Sequence, residues 1–137
     1  MTTHSEAAEA IYAAFQTAWL TTGLQYTFDS ESFSPPSLAA WARLSVRNTL
    51  GTQETLGRVG QRNFSRRGSA IVQVFTPLNQ GTAQARSLAT VAKNAFEGKT
   101  LSGTDVTFRD VTIREIGPDS TWYQINVDAA FEFFETK

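Results

Sequence analysis

The chain of 137 residues has room for one core, and 41% hydrophobic residues, ten phenylalanines and no cysteine describe a globular domain held by packing rather than disulfides or thiolate metal sites. A formal charge of −1 argues against a dedicated nucleic-acid binder, which carries an excess of Lys and Arg. No run approaches the roughly 18 apolar residues of a membrane span, and Met-Thr-Thr-His-Ser lacks the pattern of a signal peptide, so a soluble, unexported protein is expected.

Residues 5–22 read as a first helix, because Ala7, Ile11, Ala14, Phe15 and Ala18 recur at spacings of three and four. Ser5 is the candidate N-cap, Glu6 and Glu9 suit the first turn, and Gly23 is the stop. Leu24–Phe28 suits a short strand, and residues 29–37, rich in Ser and Pro, suit a surface loop. Trp41–Arg47 alternates Ala42, Leu44 and Val46 against Arg43, Ser45 and Arg47, the pattern of a strand with one wet face. The polar, glycine-punctuated stretch that follows reads as a long hairpin, flexible over about residues 48–66, with its tip around Gly51–Gly57.

Ser65–Leu78 leads from a basic approach into the most apolar strand. Ile71, Val72, Val74 and Phe75 populate both of its faces, which predicts a central position in the sheet. Pro77 should end its pairing, and Asn79–Thr82 should turn into a second helix, Thr82–Phe96. That helix has one stripe of Ala85, Leu88, Ala89, Ala92, Ala95 and Phe96, whose small residues allow a close approach to the sheet; Gly98 terminates it. Val106–Ile116 and Trp122–Phe134 are the last two strands, joined by a turn at Gly117–Ser120. The apolar phase of the first of them slips between Phe108 and Val111, which predicts a bulge. The fold class is therefore α+β: a single domain over residues 1–137, with one twisted, mainly antiparallel and possibly mixed sheet and two helices on one face.

Charge is unevenly distributed. Between Arg43 and Arg67 six arginines face the single acid Glu54, a net of +5, whereas from Asp105 to Lys137 seven acids face three bases, a net of −4. The two regions could neutralise each other within one chain or across a subunit contact. The basic stretch, with Trp41 and Phe64 as stacking groups, has a nucleic-acid reading and a protein-docking reading, and the net negative charge favours docking. Trp41 and Trp122 are equally compatible with core positions.

Little here suggests catalysis. The single histidine, His4, falls in a terminus expected to be frayed, and without cysteine no Cys-His or His-rich constellation can form. Asp110, Asp119 and Asp128 are candidate carboxylates for acid-base work, though solvated charges are the commoner role for such positions. The glycines at 51 and 57 are not followed by the Lys-Ser or Lys-Thr of a phosphate loop. No enzyme activity, cofactor or metal is expected.

Four stretches carry a resemblance: Trp41–Arg47; Arg62-Asn-Phe-Ser-Arg-Arg-Gly68; Val72-Gln-Val-Phe-Thr-Pro77 with the alanine-rich helix behind it; and Trp122-Tyr-Gln-Ile-Asn-Val127. With the first helix they span nearly the whole chain, which resembles the tail terminator, or tail completion, proteins of long-tailed bacteriophages. The resemblance implies a virion protein assembled in the host cytoplasm that forms a ring, typically a hexamer, on the head-proximal end of the tail tube. There it would stop tube growth and offer the surface for head joining. The implied partners are copies of itself, the tail tube protein and a head-tail connector, with DNA only passing through the lumen and no membrane. Contact residues expected on this reading are Arg58, Arg62, Phe64, Arg66 and Arg67 on the basic side and Asp110, Asp128 and Glu132 as the acidic counterpart. Another connector or tube component, or a small-ligand-binding module or enzyme with a concave pocket, are the competing readings.

Overall fold

The structure, a computed structural model, describes residues 2–29, 31, 33–36, 39–78, 81–101, 103–119 and 121–137. Its elements are α1 (His4–Trp19), a short 3₁₀ turn (Leu20–Thr22), β1 (Gln25–Phe28), β2 (Trp41–Gln53), β3 (Asn63–Pro77), α2 (Ala83–Phe96), β4 (Thr107–Asp119) and β5 (Trp122–Thr136). One five-stranded sheet has the order β1-β2-β3-β5-β4. The apolar strand β3 is its middle strand, as its two-faced composition predicts. β1 lies parallel to β2 and the other three pairings are antiparallel, so the sheet is mixed.

Both helices cover the same face. Ala7, Ile11, Phe15 and Trp19 of α1 and the six-residue stripe of α2 are buried against Ala42 and Leu44 of β2, Ala70, Val72 and Val74 of β3, and Ile125, Val127, Ala129, Phe131 and Phe133 of β5. Alternation explains the set, since every second residue of each strand points to one face. The alanines of α2 let its axis approach the sheet, with Leu88 near its middle and Phe96 at its end as the bulky buried residues. Gly98, at φ +69°, follows the helix in the left-handed conformation that ends many helices.

Several details depart from the sequence reading. The N-cap is Thr3 rather than Ser5: its side chain accepts from the Glu6 N–H at 3.2 Å, and the Glu6 carboxylate accepts from the Thr3 N–H at 3.3 Å. This reciprocal box starts the helix earlier, and α-helical bonding gives way to the 3₁₀ turn after Trp19. The N-terminus is tied down rather than frayed. The Thr2 N–H donates to the Phe134 carbonyl at 3.2 Å, its hydroxyl donates to Asp105, and the His4 ring packs edge-on against Phe133.

Gly51 lies inside β2, paired with Arg66, and the connection to β3 spans residues 54–62. A side chain at Gly51 would begin 2.5 Å from the Arg66 guanidinium, so the glycine makes room for that arginine rather than for a turn. The bulge between Phe108 and Val111 is present, and a second falls between Glu115 and Gly117. Gly117 and Pro118 therefore belong to β4 and not to a turn. Gly117, at φ +100°, supplies the bulged conformation, and Pro118 is tolerated because β4 is an edge strand. Asn79, Gln80 and Ser120, parts of two expected turns, lie outside the described residues.

Candidate functional site

The face of the sheet away from the helices, and the hairpin that extends it, carry most of the chemistry. On that face the strands place Thr27, Arg43, Gln73, Asn126 and Arg114 side by side in one row, and Ser45, Ile71, Asp128 and Thr112 in the next. The Gln124 amide donates to the Asn126 side-chain oxygen at 2.8 Å, which ties neighbouring rows together. Polar side chains dominate these rows because no helix packs over them.

This face is less bare than alternation suggests. Ser45, expected to be wet, is buried, and its hydroxyl donates to the carboxylate of Asp29, the residue that follows β1, at 2.8 Å. Further along, Trp41 stacks on Phe75 with centroids 4.3 Å apart, while Phe33 and Trp122 flank it at 5.1 and 6.1 Å. The Arg43 guanidinium sits 5.5 Å from the Trp41 ring centroid. Trp41 is thus a buried residue of an aromatic cluster, a second and smaller apolar centre outside the main core.

Seven of the eight expected contact residues fall into three groups. Arg67 and Glu132 pair at 3.1 Å on the uncovered face, where with Asp110, Arg109 and Ser69 they line a depression of about 350 Å³ beside the first β4 bulge. Arg66 points to the opposite face. There it pairs with Glu135 at 3.1 Å and covers the Phe64 ring at 4.9 Å. Arg58 and Arg62 belong to the connection between β2 and β3, where the Arg62 guanidinium donates to the Gly57 carbonyl at 2.9 Å and Arg58 is exposed. Asp128 lies apart from these groups, half-buried between Ile71 and Thr112 in its row. Sequence reasoning missed Glu135, the partner of Arg66. The signal was the even spacing of Phe131, Phe133 and Glu135, which sends all three to the helix-covered face.

Within the protomer, then, part of the basic stretch is neutralised by the acidic one. Arg43, Arg58, Arg62, Arg109 and Arg114 make no ion pair among the described residues, and neither do Asp110 and Asp128. Asp110 and Asp128 gather no third ligand for a metal among the described residues, and the side chain of Asp119 lies outside them.

The family model described as phage tail terminator protein matches residues 6–131. The chain belongs to the phage tail terminator family. It is accordingly a structural protein of the phage tail, located in the virion. No curated protein matches it. Two solved structures share the fold of this family member. One, whose title is only a sequence identifier, is 18% identical with a TM-score of 0.66, over 92% of this chain and 94% of the other. The second is titled as the virion of a native gene transfer agent particle; it is 16% identical with a TM-score of 0.55, over 94% of this chain and 93% of that one.

Proposed function

We propose that this family member closes into a ring, six-fold as the family resemblance implies, on the head-proximal end of a tail tube. In that position it ends tube polymerisation and presents the surface to which the head-tail connector joins. The match over residues 6–131 to the tail terminator family carries the proposal. Two structural features support it: an uncovered polar sheet face, and a basic hairpin whose charge is only partly neutralised within the chain. Different surfaces of one protomer that complement each other make head-to-tail contacts, and such contacts close into rings when the rotation permits.

On this reading the basic hairpin (Arg58, Arg62, Phe64, Arg66, Arg67) faces neighbouring protomers or the tube, and Asp110, Asp128 and Glu132 supply acidic counterparts. DNA passes through the lumen and no cofactor or catalysis is involved. Reversing Arg66 and Arg67 would also break two internal ion pairs, so Arg58, exposed and free of any ion pair among the described residues, is the cleaner probe. Arg58→Glu should raise the protein concentration needed to cap tail tubes at least tenfold while the isolated protein stays folded. Unchanged capping would remove the hairpin from the contact surface.

A further inference from the structure

The connection between β2 and β3 holds the two most exposed large apolar side chains described in the protein. Leu56 is 95% and Val59 83% exposed, and Arg58 stands between them. No described residue of their own chain covers them. A folded protein gains nothing by holding such groups in water, and exposed apolar side chains concentrated on one projection mark a contact.

A concavity lies elsewhere, between the outer flank of α1 and the end of α2. Ala10, Ala13, Ala14 and Ala18 of α1, with Ala95 and Leu101, line a groove of about 480 Å³. Its lining is mainly apolar, and its width follows from alanines standing where larger residues would fill it. The hairpin contributes no residue to this groove, so within one protomer the projection and the hollow remain unmatched.

Charge complements shape. Glu9 lies four residues before Ala13 on the same flank of α1, is exposed, and makes no ion pair among the described residues. Lys99 also lines the groove and would repel Arg58, which orients an incoming hairpin toward the Glu9 side.

We infer that the tip of the β2–β3 hairpin docks into the α1–α2 groove of a second copy of this chain, with Leu56 and Val59 filling the alanine-lined hollow and Arg58 facing Glu9. The inference rests on the ring reading above and deepens it, because a projection and a hollow at different places on one protomer make the head-to-tail contact that a ring requires. It assigns Arg58 to Glu9 of the next protomer, and leaves Asp110 and Asp128 on the uncovered face for other partners.

The chain has no cysteine, so an engineered pair reports without background. The double variant Leu56→Cys with Ala13→Cys, oxidised in the presence of tail tubes, should give a ladder of disulfide-linked oligomers on a non-reducing gel, ending at the ring. Each single variant should give none. Independently, Leu56→Asp with Val59→Asp, and separately Ala13→Arg, should each abolish ring formation while leaving the unfolding midpoint unchanged. Mixed together, those two defective proteins should form one-to-one dimers, since one intact contact remains. Absence of the ladder, with rings of the double variant and of the Asp variant still visible on tube ends, overturns the docking assignment and leaves the ring reading standing. If the unmodified protein forms no rings with or without tubes, both fail.

Discussion

Arg66 and Glu135 form a 3.1 Å ion pair on the helix-covered face of the sheet, where their side chains are only 17% and 8% exposed. The next residue, Arg67, pairs with Glu132 at the same distance on the opposite face, but there the exposures are 56% and 22%. Two adjacent arginines, sent to opposite faces by strand alternation, thus sit in different dielectric surroundings, and the cost of deleting each should differ.

Arg66→Met would leave the Glu135 carboxylate in a largely dry site with only the more exposed Lys137 ammonium, 3.8 Å away, as a cationic partner. Removing one partner of a fully buried pair costs about 3–5 kcal/mol, and the remaining solvent access of Arg66 lowers the expectation to about 2–3 kcal/mol. Arg67→Met should cost under about 1 kcal/mol, the range of solvent-exposed pairs. Urea unfolding of the two variants measures the contrast, and equal losses would mean that burial does not govern these pairs.

Gly68 is buried opposite Phe131, and a Cβ there would lie 2.1 Å from the Arg47 carbonyl oxygen and 2.7 Å from the end of the Phe131 ring. The backbone of β2 cannot yield cheaply. Gly68→Ala should destabilise the protein by about 1–3 kcal/mol or more, and should shift the amide resonances of Arg47, Asn48 and Phe131. A variant as stable as the parent would contradict the tight approach of β2 and β3.

Ala92 is fully buried in the stripe that seats α2 on the sheet. Ala92→Leu would push the helix outward and should cost about 1–3 kcal/mol by overpacking. Ala83→Leu, at an exposed position of the same helix, should change stability by less than about 0.5 kcal/mol. Thermal unfolding of the pair distinguishes the packing effect from helix propensity.

Thr3→Ala removes the side chain that accepts from Glu6 and should cost about 1 kcal/mol. The same variant should speed hydrogen exchange at the Glu6 amide, while exchange in the last turn of α1 stays as it was.

Much of this architecture was legible because periodicity is local. The stripe of α2 named from spacing is the set of its buried residues, and the phase slip at Arg109-Asp110 is a bulge. The capping box was also readable, as Thr3 followed by Glu6, but Ser5 offered an equally plausible cap and only the hydrogen bonds decide. Gly117-Pro118 misled for a physical reason: turn chemistry also suits a bulged edge strand. The hydrogen bond of Ser45 reaches Asp29, sixteen residues away, and the Arg66–Glu135 pairing depends on a register between strands 69 residues apart. Neither is written in local pattern. The proposed contact residues stand out in the sequence as a charge asymmetry, but which charges remain unpaired emerges only when the sheet is assembled.

The most direct test is tube polymerisation in the presence of purified protein, followed by electron microscopy of the tube ends. The account predicts tubes that stop lengthening once the protein is added, each carrying one ring at a single end. Tubes that continue to grow at both ends, beside a protein that remains monomeric, would contradict it.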